Sequence, residues 1–259
     1  MFDPVAHFRK RLAQGQVLMG PGVYLTDPQS SEALADSFDF LWIDMEHSPM
    51  SMEALRGHLL VARSKQKPAL VRVGGSDTPF IKPVLDAGAH GIVVPQVRSV
   101  EEVRRVVADC RYPPLGRRGF GPLIPTNYGR HGGPEYVETA NAQLFVSVMI
   151  ETAEAVEAID QIVAISGLDS VVLGPWDLSG SLGFLGEVGH PEVVAALEKV
   201  IASARAAGLS VGSGMPADPE FALLQVKRGV QWLQLGGDCG YLVAFADQLT
   251  SQVRQRLGR

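Results

Sequence analysis

The sequence predicts a closed barrel of eight parallel strands ringed by eight helices, the (β/α)8 or TIM barrel. Apolar, β-branched runs alternate with helix-like segments from one end of the chain to the other, the pattern of βα units around a parallel sheet. Eight runs of each kind can be counted. The 259 residues match the roughly 250 of a barrel built as one unit, so residues 1–259 are read as a single domain.

The strands are read at Leu18–Leu25, Phe38–Asp44, Ala69–Val73, Gly91–Val94, Leu144–Ile150, Ser170–Leu173, Leu209–Gly212 and Gln231–Leu235. Helical spacing falls at Ser30–Asp36, Ser51–Ser64, Thr78–Ala87, Ser99–Asp109, Thr152–Val163, Pro191–Ala207, Pro219–Lys227 and from about Tyr241 onward. Caps mark several boundaries. Ser99 precedes Val100-Glu101-Glu102 at capping-box spacing, and Asp218-Pro219 sets a cap beside a first-turn proline. Gly88 and Gly229 follow helical runs where a left-handed residue is wanted. An extra helix at Asp3–Leu12, with Pro4 in its first turn, is placed to cover the lower end of the barrel.

Tyr112–Pro134 breaks the rhythm with five prolines, six glycines and no periodicity. Lying between the fourth and fifth strands, it is expected on the same face as the βα loops, as a lid or a subunit contact. Arg117 and Arg118 in it read first as solvent-facing, with contact to a carboxylate on a substrate as the alternative. The last segment, Tyr241–Leu257, carries Leu242, Val243, Phe245, Leu249, Val253 and Leu257 at helical spacing, suited to docking on its own barrel or on a partner's.

Composition narrows the function classes. Hydrophobic residues at 46% and charged residues at 20% suit a large buried core. A formal net charge of −5 and the lack of a basic stripe argue against nucleic acid. No apolar run reaches the ~20 residues of a membrane span and no signal-peptide pattern follows Arg9-Lys10-Arg11, so a cytoplasmic location is expected. Cys110 and Cys239 lie far apart, outside any CxxC spacing, and read as buried thiols.

In such a barrel the active site lies at the C-terminal ends of the strands. There the sequence places Asp44-Met45-Glu46-His47, then Arg72, then Glu151, then Gly174-Pro175-Trp176-Asp177. Each alone has a structural reading: Glu151 or Asp177 as a helix-start carboxylate, Arg72 as a structural arginine, His47 as a core histidine. Converging on one mouth, two carboxylates suit a hard ion such as Mg2+ or Mn2+ better than structural zinc. Trp176 would narrow the pocket beside them or pack under the Tyr112–Pro134 loop, and Met215 reads as packing. Lys65, Lys67, Lys82, Lys199 and Lys227 all fall in helices or connections, so no strand-end lysine offers a Schiff base.

Three runs, Phe38-Asp39-Phe40-Leu41-Trp42-Ile43-Asp44-Met45-Glu46-His47, Arg111-Tyr112-Pro113-Pro114-Leu115-Gly116 with Arg118-Gly119, and Gly174-Pro175-Trp176-Asp177-Leu178-Ser179, resemble the HpcH/HpaI aldolases. The resemblance spans nearly the whole chain. It implies a pyruvate-type barrel and class II aldol chemistry, the reversible cleavage of a 4-hydroxy-2-oxo acid to pyruvate or hydroxypyruvate and an aldehyde. It further implies Glu151 and Asp177 as ligands of Mg2+, Mn2+ or Co2+, Arg72 on the ketone oxygen, and His47 as a base acting through water and oriented by Asp86. Asp44 and Glu46 would order that water. The backbone N–H groups after Gly174-Pro175, together with Trp176 and Asp177, would border the substrate carboxylate. A homohexamer or trimer, with C-terminal helices exchanged between subunits, is implied as well. Two features depart from the family's pattern: Met149, where some members have a Gln, and Trp176, where Ala is common. Two alternatives stay open. One is decarboxylation of oxaloacetate to the same enolate, as in macrophomate synthase; the other is a non-catalytic barrel that binds a small carboxylate.

Overall fold

The structure is a computed structural model, described over residues 1–258. Eight parallel strands close in sequence order: β1 (Leu18–Val23), β2 (Leu41–Asp44), β3 (Ala69–Arg72), β4 (Gly91–Val94), β5 (Phe145–Ile150), β6 (Ser170–Leu173), β7 (Ser210–Met215) and β8 (Trp232–Gly237), with β8 paired back to β1. Around them run α2 (Gln29–Ala35), α3 (Met52–Ser64), α4 (Thr78–Asp86), α5 (Val100–Cys110), α6 (Pro134–Gln143), α7 (Ala153–Glu157), α8 (Ile159–Val163), α9 (Pro175–Ser181), α10 (Pro191–Ala206), α11 (Pro219–Arg228) and α12 (Asp238–Arg256). The expected caps form: Ser99 Oγ accepts from Glu102 N–H at 3.2 Å, and Asp218 from Glu220 and Phe221 N–H. Gly88 and Gly229 take φ of +103° and +109°. No helix among the described residues is long and apolar enough to cross a membrane.

The first strand ends two residues before the expected Leu25, for an electrostatic reason. Tyr24 and Leu25 N–H donate to the buried carboxylate of Asp238, at the start of α12, instead of continuing the ladder. The expected helix Thr152–Val163 divides at Ala158 into α7 and α8. Helices α6 and α9 were not among the expected helical segments.

Helix α1 (Asp3–Ala13) plugs the N-terminal end of the barrel, as the sequence suggested. Phe8 meets Phe40, Phe145 and Trp232 edge-on at centroid distances of 5.4, 5.4 and 6.4 Å. Edge-to-face contacts of this kind add to the burial of the ring itself. Arg9 locks the plug with a 2.7 Å ion pair to Asp169. Above it, Trp232 fills the lumen and donates its indole N–H to Ser170 Oγ at 3.0 Å. Gly212 makes room: a Cβ there would stand 2.7 Å from Trp232 Cδ2, closer than carbon atoms pack.

Three expectations are corrected. The Tyr112–Pro134 segment leaves the C-terminal end of α5, so it lies beside the plug at the opposite end from the βα loops. Ile124 and Pro125 share a hollow of about 710 Å3 there with Met1 and Phe2. Arg117 is solvent-facing as expected, paired with Asp109, whereas Arg118 is buried on Asp86 rather than facing solvent. Cys239 is exposed at the start of α12, while Cys110 is buried as expected. Of the two seats left open for the apolar face of α12, its own barrel is not the one used, since Leu242, Phe245, Leu249 and Val253 are all exposed.

Candidate active site

The site is built from the ends of β2 and β3. Asp44 and Arg72, the last residues of these strands, stand opposite each other in the ladder. Asp44 is fully buried, and its Oδ1 accepts from Glu46 N–H at 2.8 Å and His47 N–H at 3.3 Å, closing an Asx turn. Oδ1 also accepts from Arg72 Nε at 3.1 Å, while Oδ2 takes Arg72 Nη2. One carboxylate therefore fixes both the turn that carries His47 and the fork of Arg72.

Arg72 Nη1 reaches Glu46 Oε2 at 3.1 Å, and its guanidinium lies 5.8 Å from the Trp42 ring. Burial alone would lower the basicity of Arg72; the hydrogen bonds and charge of Asp44, with Glu46 behind, outweigh it and hold the guanidinium above its usual value. Burial raises the Glu46 carboxyl, and the charges of Asp44 and Asp177 push the same way against Arg72 and His47. His47 Nε2 stands 3.7 Å from Glu46 Oε2, with its side chain 63% exposed. It is no core histidine.

Across the mouth, Glu151 follows β5 with only 2% exposure. Its Oε1 accepts from Gln96 N–H at 2.6 Å, an amide aimed by the left-handed backbone of Gln96 at φ +57°. A non-glycine residue held there is a local strain of the kind found beside functional groups. Oε2 accepts no hydrogen bond from the described residues and lies against Gly174. A Cβ at Gly174 would come within 2.8 Å of Glu151 Cβ and 3.3 Å of Cδ. Burial pushes the Glu151 carboxyl up to about 7, opposed by the Gln96 N–H, with Asp177 and Glu46 adding to the rise. Asp177 sits in the first turn of α9, exposed, three residues beyond Gly174, and its charge is felt at both Glu46 and Glu151. Among the described residues no three His, Cys, Asp or Glu side chains come close enough to enclose a metal ion by themselves.

A cavity of about 300 Å3 opens over this group, lined among others by Tyr24, Arg72, Met149, Trp176, Asp177 and Gln234. The structure thus brings Asp44, Glu46, His47, Arg72, Glu151, Gly174, Pro175, Trp176 and Asp177 to one end of the barrel. It does not bring Asp86 there within one chain: Asp86 ends α4 at the opposite end, 2.7 Å from Arg118 Nη2. The carboxylate beside His47 is Glu46 instead. Trp176 does not pack under the Tyr112–Pro134 loop; it is exposed beside Phe221, at 6.0 Å between ring centroids. Met215 is buried packing and also lines the cavity. Tyr24, Gln96 and Gln234 were missed. Tyr24, a polar residue just past a strand end, was open to the same reasoning that found Arg72.

The profile of the HpcH/HpaI aldolase/citrate lyase family matches residues 26–244. The chain belongs to that family. It is 36% identical to a hydroxypyruvate/pyruvate aldolase of Roseovarius nubinhibens over 252 residues, covering 97% of this chain and 98% of the relative. A 4-hydroxy-2-oxovalerate aldolase of Rhodococcus jostii is 35% identical, with 98% of each chain covered. The crystal structure of an HpcH/HpaI aldolase from Desulfitobacterium hafniense superposes with a TM-score of 0.87 at 32% identity, covering 95% of this chain and 96% of that one. The chain is accordingly an aldolase-type carbon–carbon lyase on a (β/α)8 barrel.

Proposed function

We propose that this family member reversibly cleaves a 4-hydroxy-2-oxo acid to an aldehyde and pyruvate or hydroxypyruvate through an enolate. The carrying observation is the Asp44–Arg72 pair facing the buried Glu151 across one cavity mouth. Glu151 and Asp177 fit a divalent ion, Mg2+ or Mn2+. Glu151 is a carboxylate whose burial calls for a countercharge and whose Oε2 accepts nothing from the described residues. Two protein carboxylates, with water and substrate oxygens completing the shell, is a common arrangement for Mg2+. Such an ion supplies Lewis acidity toward the developing enolate charge.

The side chains do the rest. Arg72, with Nε and Nη2 held by Asp44, keeps N–H groups for the keto oxygen, where negative charge grows as the proton leaves. His47, exposed to the mouth and 3.7 Å from Glu46, takes the proton from the carbon beside the carbonyl through a water that Glu46 and Asp44 help to order. The first-turn amides after Gly174-Pro175 border the substrate carboxylate. In this reading Asp86 could reach His47 only from a second copy of the chain, in keeping with a hexamer or trimer, and the exposed apolar face of α12 supports such an assembly.

The test is metal dependence with a trapping control. Chelator is expected to abolish turnover and Mg2+ or Mn2+ to restore it, His47→Ala to slow it by about 10²–10⁴-fold, and borohydride with pyruvate to trap no adduct. A lysine adduct, or full activity in chelator, overturns the mechanism. Decarboxylation of oxaloacetate would use the same enolate, and the exposed indole of Trp176 on the cavity gives an unsaturated acceptor a flat surface. Product analysis with oxaloacetate as the sole donor separates the two.

A further inference from the structure

Two polar side chains in the mouth are left over by the chemistry above. Gln234, in the middle of β8, is 6% exposed and lines the cavity. Its Nε2 donates to Gly236 O, and its Oε1 accepts no hydrogen bond from the described residues. Tyr24, just past β1, lines the same cavity, and its hydroxyl likewise has no hydrogen-bond partner among the described residues. Both residues line the cavity, where an incoming oxygen can meet their free polar atoms.

The two groups are held together deliberately by small neighbours. A Cβ at Gly22 would stand 2.7 Å from Gln234 Nε2 and 2.9 Å from the Tyr24 hydroxyl, so the two polar groups lie side by side over Gly22. A Cβ on Gly214 would stand 3.0 Å from Gln234 Oε1. Any side chain at these two glycines would displace the pair. Tyr24 is pinned from behind by its N–H on Asp238 at 3.1 Å. Burial, then the Asp44 charge, raise the Tyr24 hydroxyl above its usual value against the pull of Arg72, which keeps it a proton donor.

Position decides what the pair reads. Arg72, Glu151 and Asp177 stand on the β3, β5 and β6 side of the mouth, and Tyr24 and Gln234 on the β1 and β8 side. A 2-oxo acid anchored by its carboxylate and carbonyl at the first side turns its third carbon toward the second. Both groups there are neutral, and Arg72, the one cation lining the cavity among the described residues, is held by Asp44 and Glu46 on the keto-oxygen side. That chemistry suits a neutral hydroxyl.

We propose that Tyr24 and Gln234 are specificity-determining residues that bind a hydroxyl on the third carbon of the 2-oxo acid, so that the site favours hydroxypyruvate over pyruvate as donor. The inference rests on the aldolase reading and deepens it. A site whose hydrogen-bonding groups match a hydroxyl discriminates against the analogue lacking it.

The experiment compares the two donors with one common aldehyde on the full chain loaded with Mg2+. The unmodified protein is expected to show a hydroxypyruvate-to-pyruvate ratio of kcat/KM above one. Tyr24→Phe and Gln234→Leu are each expected to lower that ratio about tenfold, and Gly214→Ala to lower it without removing either group. Calorimetric binding of the two donors to the same proteins should move in the same direction. Because both donors are measured on one preparation, loss of folded protein cancels in the ratio. A ratio that stays within about twofold in both Tyr24→Phe and Gln234→Leu overturns the inference while leaving the aldolase reading intact. Failure of the unmodified chain to turn over either donor overturns both.

Discussion

Replacing Asp44 tests how the site is held together. The wild-type carboxylate is fully buried and serves two clients, the Arg72 fork and the N–H groups of Glu46 and His47. Asp44→Ala leaves the guanidinium with Glu46 alone and orphans both amides. Removing one member of a buried ion pair costs about 3–5 kcal/mol, most of it the penalty of the charge left behind. Asp44→Asn retains an acceptor for the amides but loses the charge and the second acceptor that faces Arg72 Nη2, so about 1–3 kcal/mol is expected. The double variant Asp44→Ala/Arg72→Met removes the guanidinium charge as well and should cost less than the two single changes together. Urea unfolding midpoints measure all of this, and steady-state turnover measures the second consequence, a fall of about 10²-fold or more as Arg72 loses its aim. Stability of Asp44→Ala within about 1 kcal/mol of wild type, or strict additivity in the double variant, would refute the reasoning that one carboxylate organises both groups.

Two further outcomes follow from burial. Glu151, with its carboxyl raised from 4.5 to about 7 in the fold, binds its proton more tightly when folded. Its contribution to stability is therefore full below about 4.5 and is lost as pH rises through about 7, to an extent of about 3 kcal/mol. Unfolding midpoints of the metal-free chain across that range should show the loss, Glu151→Gln should remove it, and saturating Mg2+ should flatten it; an unchanged slope in Glu151→Gln would contradict the assignment. Phe8→Ala at the barrel floor should cost about 3–5 kcal/mol with little change in KM, since it empties the space among Phe40, Phe145 and Trp232. A destabilisation well below that range would mean that α1 is not part of the core.

The order of strands was legible because β-branched runs and helix caps punctuate the chain wherever the backbone changes direction. Which end of the barrel a loop belongs to was harder. Tyr112–Pro134 was placed by counting strands, yet α5 ends at Cys110, and the helix between carries the chain back to the other end. Asp86, which the family resemblance sets beside His47, ends α4 at the far end of its own barrel, a distance that a resemblance between single chains does not reveal. Strand ends such as Asp44, Arg72 and Glu151 stood out because polarity follows an apolar run. Gln234 did not, because buried parallel strands are apolar on both faces and lose the alternation that would tell lumen from helix layer. The aim of Gln96 at Glu151 depends on a left-handed backbone at a residue whose type gives no warning of it.

Helix α1 is synthesised before every strand, yet its seat is made of residues as distant as Phe40, Phe145, Asp169 and Trp232. The floor of the cylinder therefore cannot be laid until the eighth stave is in place, and sealing the ring and stoppering it become one cooperative event. Until then Phe8 has none of the aromatic rings that cover it in the folded barrel.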